Sequence, residues 1–295
     1  MSALVTHVSK KRRIVVEEPV ALNNDCSDDE ENVSLDLSNP FDLDAKVDAG
    51  GVRSVTIRGI DFLQHNRMNF QDHALTSLAV LDAGVGWVDL PNTIQKIQVH
   101  QNAIHKTCLT LKLGTTNALE TLILSSHSVI QLIDSVKKPS VLRLFVLDLD
   151  EFVCSTNLFA SRLMIGPNVS CVPDNISCTY MRILPHRNII FLLSTISSET
   201  CLFLEGLMVD IGDMDKIYLT VPKKKFSAPK LKYIAFFNRS SADQSLVTSF
   251  CKKHLMFLFE GSWSFNYGLA DIIYFENNAL NDCKSIFPFL EFSCE

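Results

Sequence analysis

Glycine is scarce in this chain, 11 of 295 residues, and the motifs built on it are missing: no GxGxxG, GxxxxGK[ST] or GxSxG occurs. That removes the backbone cradles of dinucleotide and P-loop sites and the hydrolase nucleophile elbow. The nine cysteines (26, 108, 154, 171, 178, 201, 251, 283 and 294) are odd in number, scattered and without a CxxC pair. They read as reduced thiols filling small core positions, as Cys178 would, rather than as a disulfide framework or a zinc site. The histidines give no better metal site: His100 and His105 stand five apart across a turn, and no Cys or Asp completes them. No apolar run approaches the 18 or more residues of a membrane span, so no membrane is expected. The first residues are polar and basic with no apolar h-region, which is the expectation for a chain that stays inside the cell. The formal N-x-Ser sequons at Asn32, Asn168, Asn175 and Asn238 would then stay unmodified.

What the sequence has instead is a period. Residues 94–104 place Ile94, Ile97, Val99 and Ile104 at positions 1, 4, 6 and 11 and Asn102 at position 9. The same frame recurs at Val52, Val55 and Ile57; at Leu75, Leu78 and Val80; and at Leu119, Leu122 and Leu124. It continues through Val141, Leu144 and Val146; Ala160, Leu163 and Ile165; Cys178, Met181 and Ile183. Leu204, Leu207 and Val209, then Leu231, Ile234 and Phe236, extend it, and Leu269, Ile272, Tyr274 and Asn277 fall in frame near the end. Between 141 and 147 a second frame, Leu142, Phe145 and Leu147, competes. Residues 245–265 fit poorly. His127 takes the position-9 slot of its repeat, where a ring nitrogen would bond the turn backbone.

Over about residues 51–290 this set of matches resembles the leucine-rich-repeat family, as an irregular, divergent member with Val or Ile often in place of Leu. The resemblance implies an α/β repeat solenoid: an irregular horseshoe with a continuous parallel concave sheet, strand-rich and helix-poor. Each repeat would supply one short strand and return over the convex side by a loop, a 3₁₀ turn or a short helix. One helix is expected within 241–259, behind a Ser240 or Ser241 cap, with Leu246, Phe250 and His254 at helical spacing. The apolar run Ile286 to Phe292 is expected to cap the open end of the core.

Residues 1–50 read as a separate unit. The first 49 residues carry the chain's entire net charge of −6 with few large apolar side chains, so a disordered acidic tail is expected, with the solenoid occupying 51–295. Within the tail, Lys10, Lys11, Arg12 and Arg13 form a basic cluster of the nuclear-import kind, and Ser27 precedes Asp28-Asp29-Glu30 as an acidic-directed phosphorylation site would. Asn39-Pro40-Phe41 matches a tripeptide read by some endocytic adaptor domains.

Alternation along a strand sends positions 4 and 6 inward and positions 3, 5 and 7 outward. The early repeats then present a polar face, whereas from Arg143 onward the outward set mixes Arg, Tyr, Phe and Met. That composition is enriched at protein–protein hot spots, which makes Phe145, Arg162, Met164, Tyr180, Arg182, Met208, Tyr233 and Phe237 the expected partner-binding residues. The resemblance implies a non-enzymatic scaffold or adaptor, monomeric, needing no cofactor, and binding another protein on the concave sheet in the nucleus or cytoplasm. Two other roles stay open: a ubiquitin-ligase substrate receptor, although residues 1–50 are too polar to form a small helical F-box domain, and a regulatory module on a chromatin or nucleic-acid assembly. Lys223-Lys224-Lys225, a lone basic run on an otherwise neutral domain, is thin support for nucleic-acid binding.

Overall fold

The computed structural model describes residues 52–58, 67–81, 86–101, 109–113, 119–133, 140–154, 157–222, 224–239, 242–267 and 272–277, with backbone alone for 32–36 and for parts of the longer strands. In chain order the strands are β1 (Asn32–Asp36), β2 (Ser54–Arg58), β3 (Arg67–Asn69), β4 (Ser77–Leu81), β5 (Trp87–Asp89), β6 (Lys96–Gln101), β7 (Leu109–Lys112) and β8 (Thr121–Ile133). They continue as β9 (Ser140–Cys154), β10 (Leu158–Ile165), β11 (Ile176–Ile183), β12 (Gly206–Ile211), β13 (Tyr233–Asn238), β14 (Trp263–Tyr267) and β15 (Ile272–Asn277). Two helices, α1 (Ile189–Thr195) and α2 (Gln244–His254), and two 3₁₀ turns, Met214–Lys216 and Met256–Leu258, complete the regular structure of the described residues.

The chain winds into a β-solenoid. Strands β1, β2, β4, β6, β8, β9, β10, β11, β12 and β13 follow one another in parallel as neighbours in one sheet. The repeat frame sets the register. Val55, Leu78, Ile97, Leu122, Leu144, Leu163, Met181, Leu207 and Ile234 stand opposite one another in a single row. Ile57, Val80, Val99, Leu124, Val146, Ile165, Ile183, Val209 and Phe236 form the next row on the same face. All eighteen side chains are buried, as are Val52, Leu75, Ile94, Leu119, Ala160, Cys178, Leu204 and Leu231 at the first position of their repeats. Between 141 and 147 the frame through Leu144 and Val146 is therefore the inward one. A one-residue slip would exchange the core and solvent sets of every coil, so burial pins the register throughout.

A backbone contact repeats with the same period. The second residue of a repeat donates its N–H to the carbonyl of the second residue one coil back: Thr76 to Arg53 at 2.8 Å, Gln95 to Thr76 at 2.8 Å, Glu120 to Gln95 at 2.7 Å, Glu205 to Thr179 at 2.8 Å and Lys232 to Glu205 at 2.8 Å. The strands are thus stitched at their starts before the ladder itself begins.

Three features depart from the sequence expectation. First, the return path of the early coils is itself a strand: β3, β5, β7 and the far ends of β8 and β9 form a second parallel ladder, with Met68, Val88 and Leu111 in register. β3 and β5, three residues each with a single buried apolar residue at the centre, leave too weak a period-2 signal to read. Second, β8 runs unbroken from Thr121 to Ile133, so His127 lies within a strand and not at a turn. Third, β1 pairs with β2, so the sheet reaches into the segment expected to be disordered, with Val33 and Leu35 in register with Val55 and Ile57. Alternation in Asn-Val-Ser-Leu-Asp suits such a strand. Lys10 to Arg13, Ser27, Asn39 to Phe41 and the apolar run 286–292 lie outside the described residues.

Polar groups are placed where the second ladder meets solvent. Asp89 is buried, and Arg67 holds it through two nitrogens, with Nη2 to Oδ1 at 3.0 Å and Lys112 Nζ at 3.8 Å on the far side. The Arg67 guanidinium keeps the Asp89 carboxyl below its ordinary range despite burial.

From β10 onward the return path changes to helix and loop. His186 fixes the start of α1, its Nδ1 accepting from the Asn188 N–H at 3.0 Å and its Nε2 lying 3.0 Å from the Val169 carbonyl. Helix α2 is capped by Asp243, whose side chain accepts from the Ser245 N–H at 2.7 Å, while Ser240 and Ser241, the expected caps, lie outside the described residues. It buries Val247 and Cys251, while Leu246 is exposed; the inward face is therefore one residue displaced from the Leu246–Phe250–His254 stripe. Of the last two strands only β15 reverses direction, and β14, beyond it in the sheet, runs the same way as β13. β15 runs antiparallel to β13, and β14 antiparallel to β15. Ile273 and Phe275 thus face the core, while Ile272 and Tyr274 face the other way, opposite to the frame expected at 269–277.

Candidate interaction face of the sheet

The outward residues of the late coils fall into rows set by the same register. One row runs Thr121, Arg143, Arg162, Tyr180, Gly206, Tyr233. The next runs Ile123, Phe145, Met164, Arg182, Met208, Ala235 and, across the antiparallel step, Tyr274. Asp210, Phe237 and Ile272 make a third.

Over β11, β12, β13 and β15 these rows build a second apolar cluster, on the opposite face of the sheet from the main core. Met208, Ala235 and Ile272 are buried in it, and Tyr180, Tyr233, Phe237 and Tyr274 pack around them, each partly exposed. Gly206, between Tyr180 and Tyr233 in their row, has no side chain and is buried. Burial raises the pKa of the Tyr180 hydroxyl, and the neighbouring Glu205 raises it further. Glu205 itself pairs with Lys232 at 3.1 Å.

Beside this cluster lies a charged knot. Arg182 reaches Asp210 on the next strand through Nε at 3.1 Å and Nη2 at 2.8 Å, and Arg239 Nε reaches the same carboxylate at 2.9 Å. Arg182 and Asp210 are both buried, whereas Arg239 is exposed. The Phe237 ring lies under both guanidinium groups, 6.0 Å from Arg182 Cζ and 5.0 Å from Arg239 Cζ.

The expected partner-binding residues therefore divide. Arg162, Tyr180, Tyr233 and Phe237 keep accessible surface on this face. Met164, Arg182 and Met208 are buried: Met208 lies at the centre of the apolar cluster, and Arg182 is committed to Asp210. Phe145 is described by its backbone alone, in register with Met164. Sequence reasoning missed Asp210 and Arg239 as members of the site. The signal was an Asp at position 7 of one repeat, diagonal to an Arg at position 5 of the repeat before.

No protein-family model, curated protein or solved structure matches the chain. Among the described residues no group of three or more His, Cys, Asp or Glu gathers as a metal site would. Burial disfavours the thiolate, pushing Cys201 and Cys251 up to about 12 and Cys178 well above its ordinary value.

Proposed function

We propose that the chain is a non-enzymatic interaction scaffold whose partner, another protein, binds the outward face of the parallel sheet across β10 to β13. The observation that carries this is the set of Tyr180, Tyr233, Phe237 and Tyr274 gathered with Arg162 around a buried Met208 and Ala235. Aromatic anchors set in an already packed surface lose little entropy on binding, and Tyr, Met and Arg are the residues enriched at such interfaces. Arg182 acts from beneath by fixing Asp210 and the Phe237 ring. The coils are read as divergent leucine-rich repeats, a reading supported by their spacing and by the one-per-coil apolar rows, with the second ladder of the early coils as an elaboration. The basic cluster Lys10 to Arg13 supports a nuclear pool, and Ser27 a phosphorylation site facing basic partners.

The test is affinity capture from the native cell with wild type and with Tyr233→Ser and Arg162→Glu variants, each first shown by thermal unfolding to be folded. A defined partner retained by wild type and lost by both folded variants supports the reading. Identical partner sets for all three proteins defeat it. Arg182 is left alone in this experiment, because its loss would strip a buried carboxylate and report on stability instead.

A further inference from the structure

We propose that the return side of the last coils docks on an anionic lipid surface, through the apolar tip Tyr218-Leu219-Thr220-Val221 and the lysines that follow it. The loop joins β12 to β13. Its side chains do not collapse onto the core: Val221 is 92% exposed, Leu219 57% and Tyr218 55%. The loop is nonetheless held in place at both ends. Asp213 caps the 3₁₀ turn Met214–Lys216, the Tyr218 N–H donates to the Arg187 carbonyl at 2.8 Å, and Phe226 bridges to Phe259. Apolar side chains kept in water on an anchored loop call for an acceptor.

The neighbouring return path adds to the same side. Leu202 and Phe203, between α1 and β12, are exposed, with Lys230 Nζ 4.9 Å from the Phe203 ring centroid. Residues 212–232 hold six lysines against two aspartates, a net charge of +4 in a chain whose total is −6. Lys224 and Lys225 are exposed and make no ion pair among the described residues. A protruding, nearly fully solvated apolar tip suits an acceptor it can penetrate, and a bilayer interface accepts Tyr, Leu and Val at the headgroup boundary while anionic headgroups meet the lysines. No described helix is long and apolar enough to cross a membrane, and surface docking of this kind needs none.

The full chain would be mixed with phosphatidylcholine vesicles, with and without about one-third phosphatidylserine, and binding read by flotation. Wild type is expected to float with the anionic vesicles and to stay with the buffer when they are neutral. Leu219→Asp/Val221→Asp should weaken anionic binding by about tenfold or more, and Lys224→Glu/Lys225→Glu by at least a similar factor, since each lysine near the surface is worth roughly fivefold. Both variants alter exposed side chains, so their unfolding temperatures should match wild type. Val221→Trp supplies an independent readout: its emission should shift to the blue on adding anionic vesicles. No binding by wild type overturns the proposal. So does binding that needs the lysines but is indifferent to Leu219 and Val221, which would mark simple adsorption to charge and leave an acidic protein as the better acceptor. This site is separate from the sheet face and stands or falls without it.

Discussion

Arg182 and Asp210 meet through two hydrogen bonds, 3.1 and 2.8 Å, on the outward face of the sheet, and both side chains are buried. The pair spans two coils, so it ties β11 to β12 independently of the backbone ladder. Removing one buried partner leaves the other uncompensated, which costs more than the pair itself contributes. Asp210→Ala should therefore lower the unfolding free energy by about 3–5 kcal/mol. The double replacement Arg182→Met/Asp210→Leu should recover much of that loss, since it removes both charges and keeps the volume. Urea denaturation of the wild type, Arg182→Met, Asp210→Leu and the double closes the cycle. An additive result would mean that the two residues do not act as a pair.

His186 predicts an acid-sensitive step. Burial lowers its pKa below the ordinary 6.5, and its Nδ1 is already used as an acceptor by Asn188, so the folded chain holds the imidazole neutral. The stabilisation is complete above pH 6.5 and declines as the pH falls, because the unfolded chain takes up the proton first. His186→Asn should remove that part of the slope below about pH 6.5 while costing stability at pH 7. Thermal unfolding across this window reads it directly; equal slopes for the two proteins would refute the assignment.

Helix α2 offers a test by adjacent residues. Val247 is buried and Leu246 is 60% exposed. Val247→Ala should cost about 1–3 kcal/mol, and Leu246→Ala less than about 0.5. The reverse order would restore the face read from Leu246, Phe250 and His254.

Gly261 leads into β14 with φ of +116°, a backbone conformation that a side chain strains. Gly261→Ala should destabilise the chain by about 1–2 kcal/mol, seen as a lower urea midpoint with an unchanged slope. The effect should stay local to β14 and β15, which hydrogen exchange of their amides would show.

The contrast between what could and could not be read from the residues follows from the physics of each element. Positions 4 and 6 were legible because one buried face repeated nine times makes a strong periodic signal, from Val55 and Ile57 to Ile234 and Phe236. Burial then resolves the competing frames at 141–147, since only Leu144 and Val146 continue the rows. The second ladder stayed hidden because β3 and β5 have three residues each, too few to show alternation. The chain reversal after β13 was missed for another reason: Ile272-Ile273-Tyr274-Phe275 is apolar at every position, so its inward face is set by strand direction and not by pattern. The outward face was legible in composition and not in burial. Met208 and Arg182 have the chemistry of contact residues, but their neighbours across the strands, Ala235 and the diagonal Asp210, claim them first.

The reversal at β15 also sets a rule for growth. On the sheet side any coil between β2 and β13 offers its neighbours the same inward pair and the same direction of hydrogen bonds, so a coil added or deleted among coils that share a return path would meet compatible surfaces. Past β13 that interchangeability ends, because β15 already occupies the free edge running the opposite way. Length can therefore vary in the middle of this molecule at little structural cost, while the strand at which parallel stacking stops stays fixed.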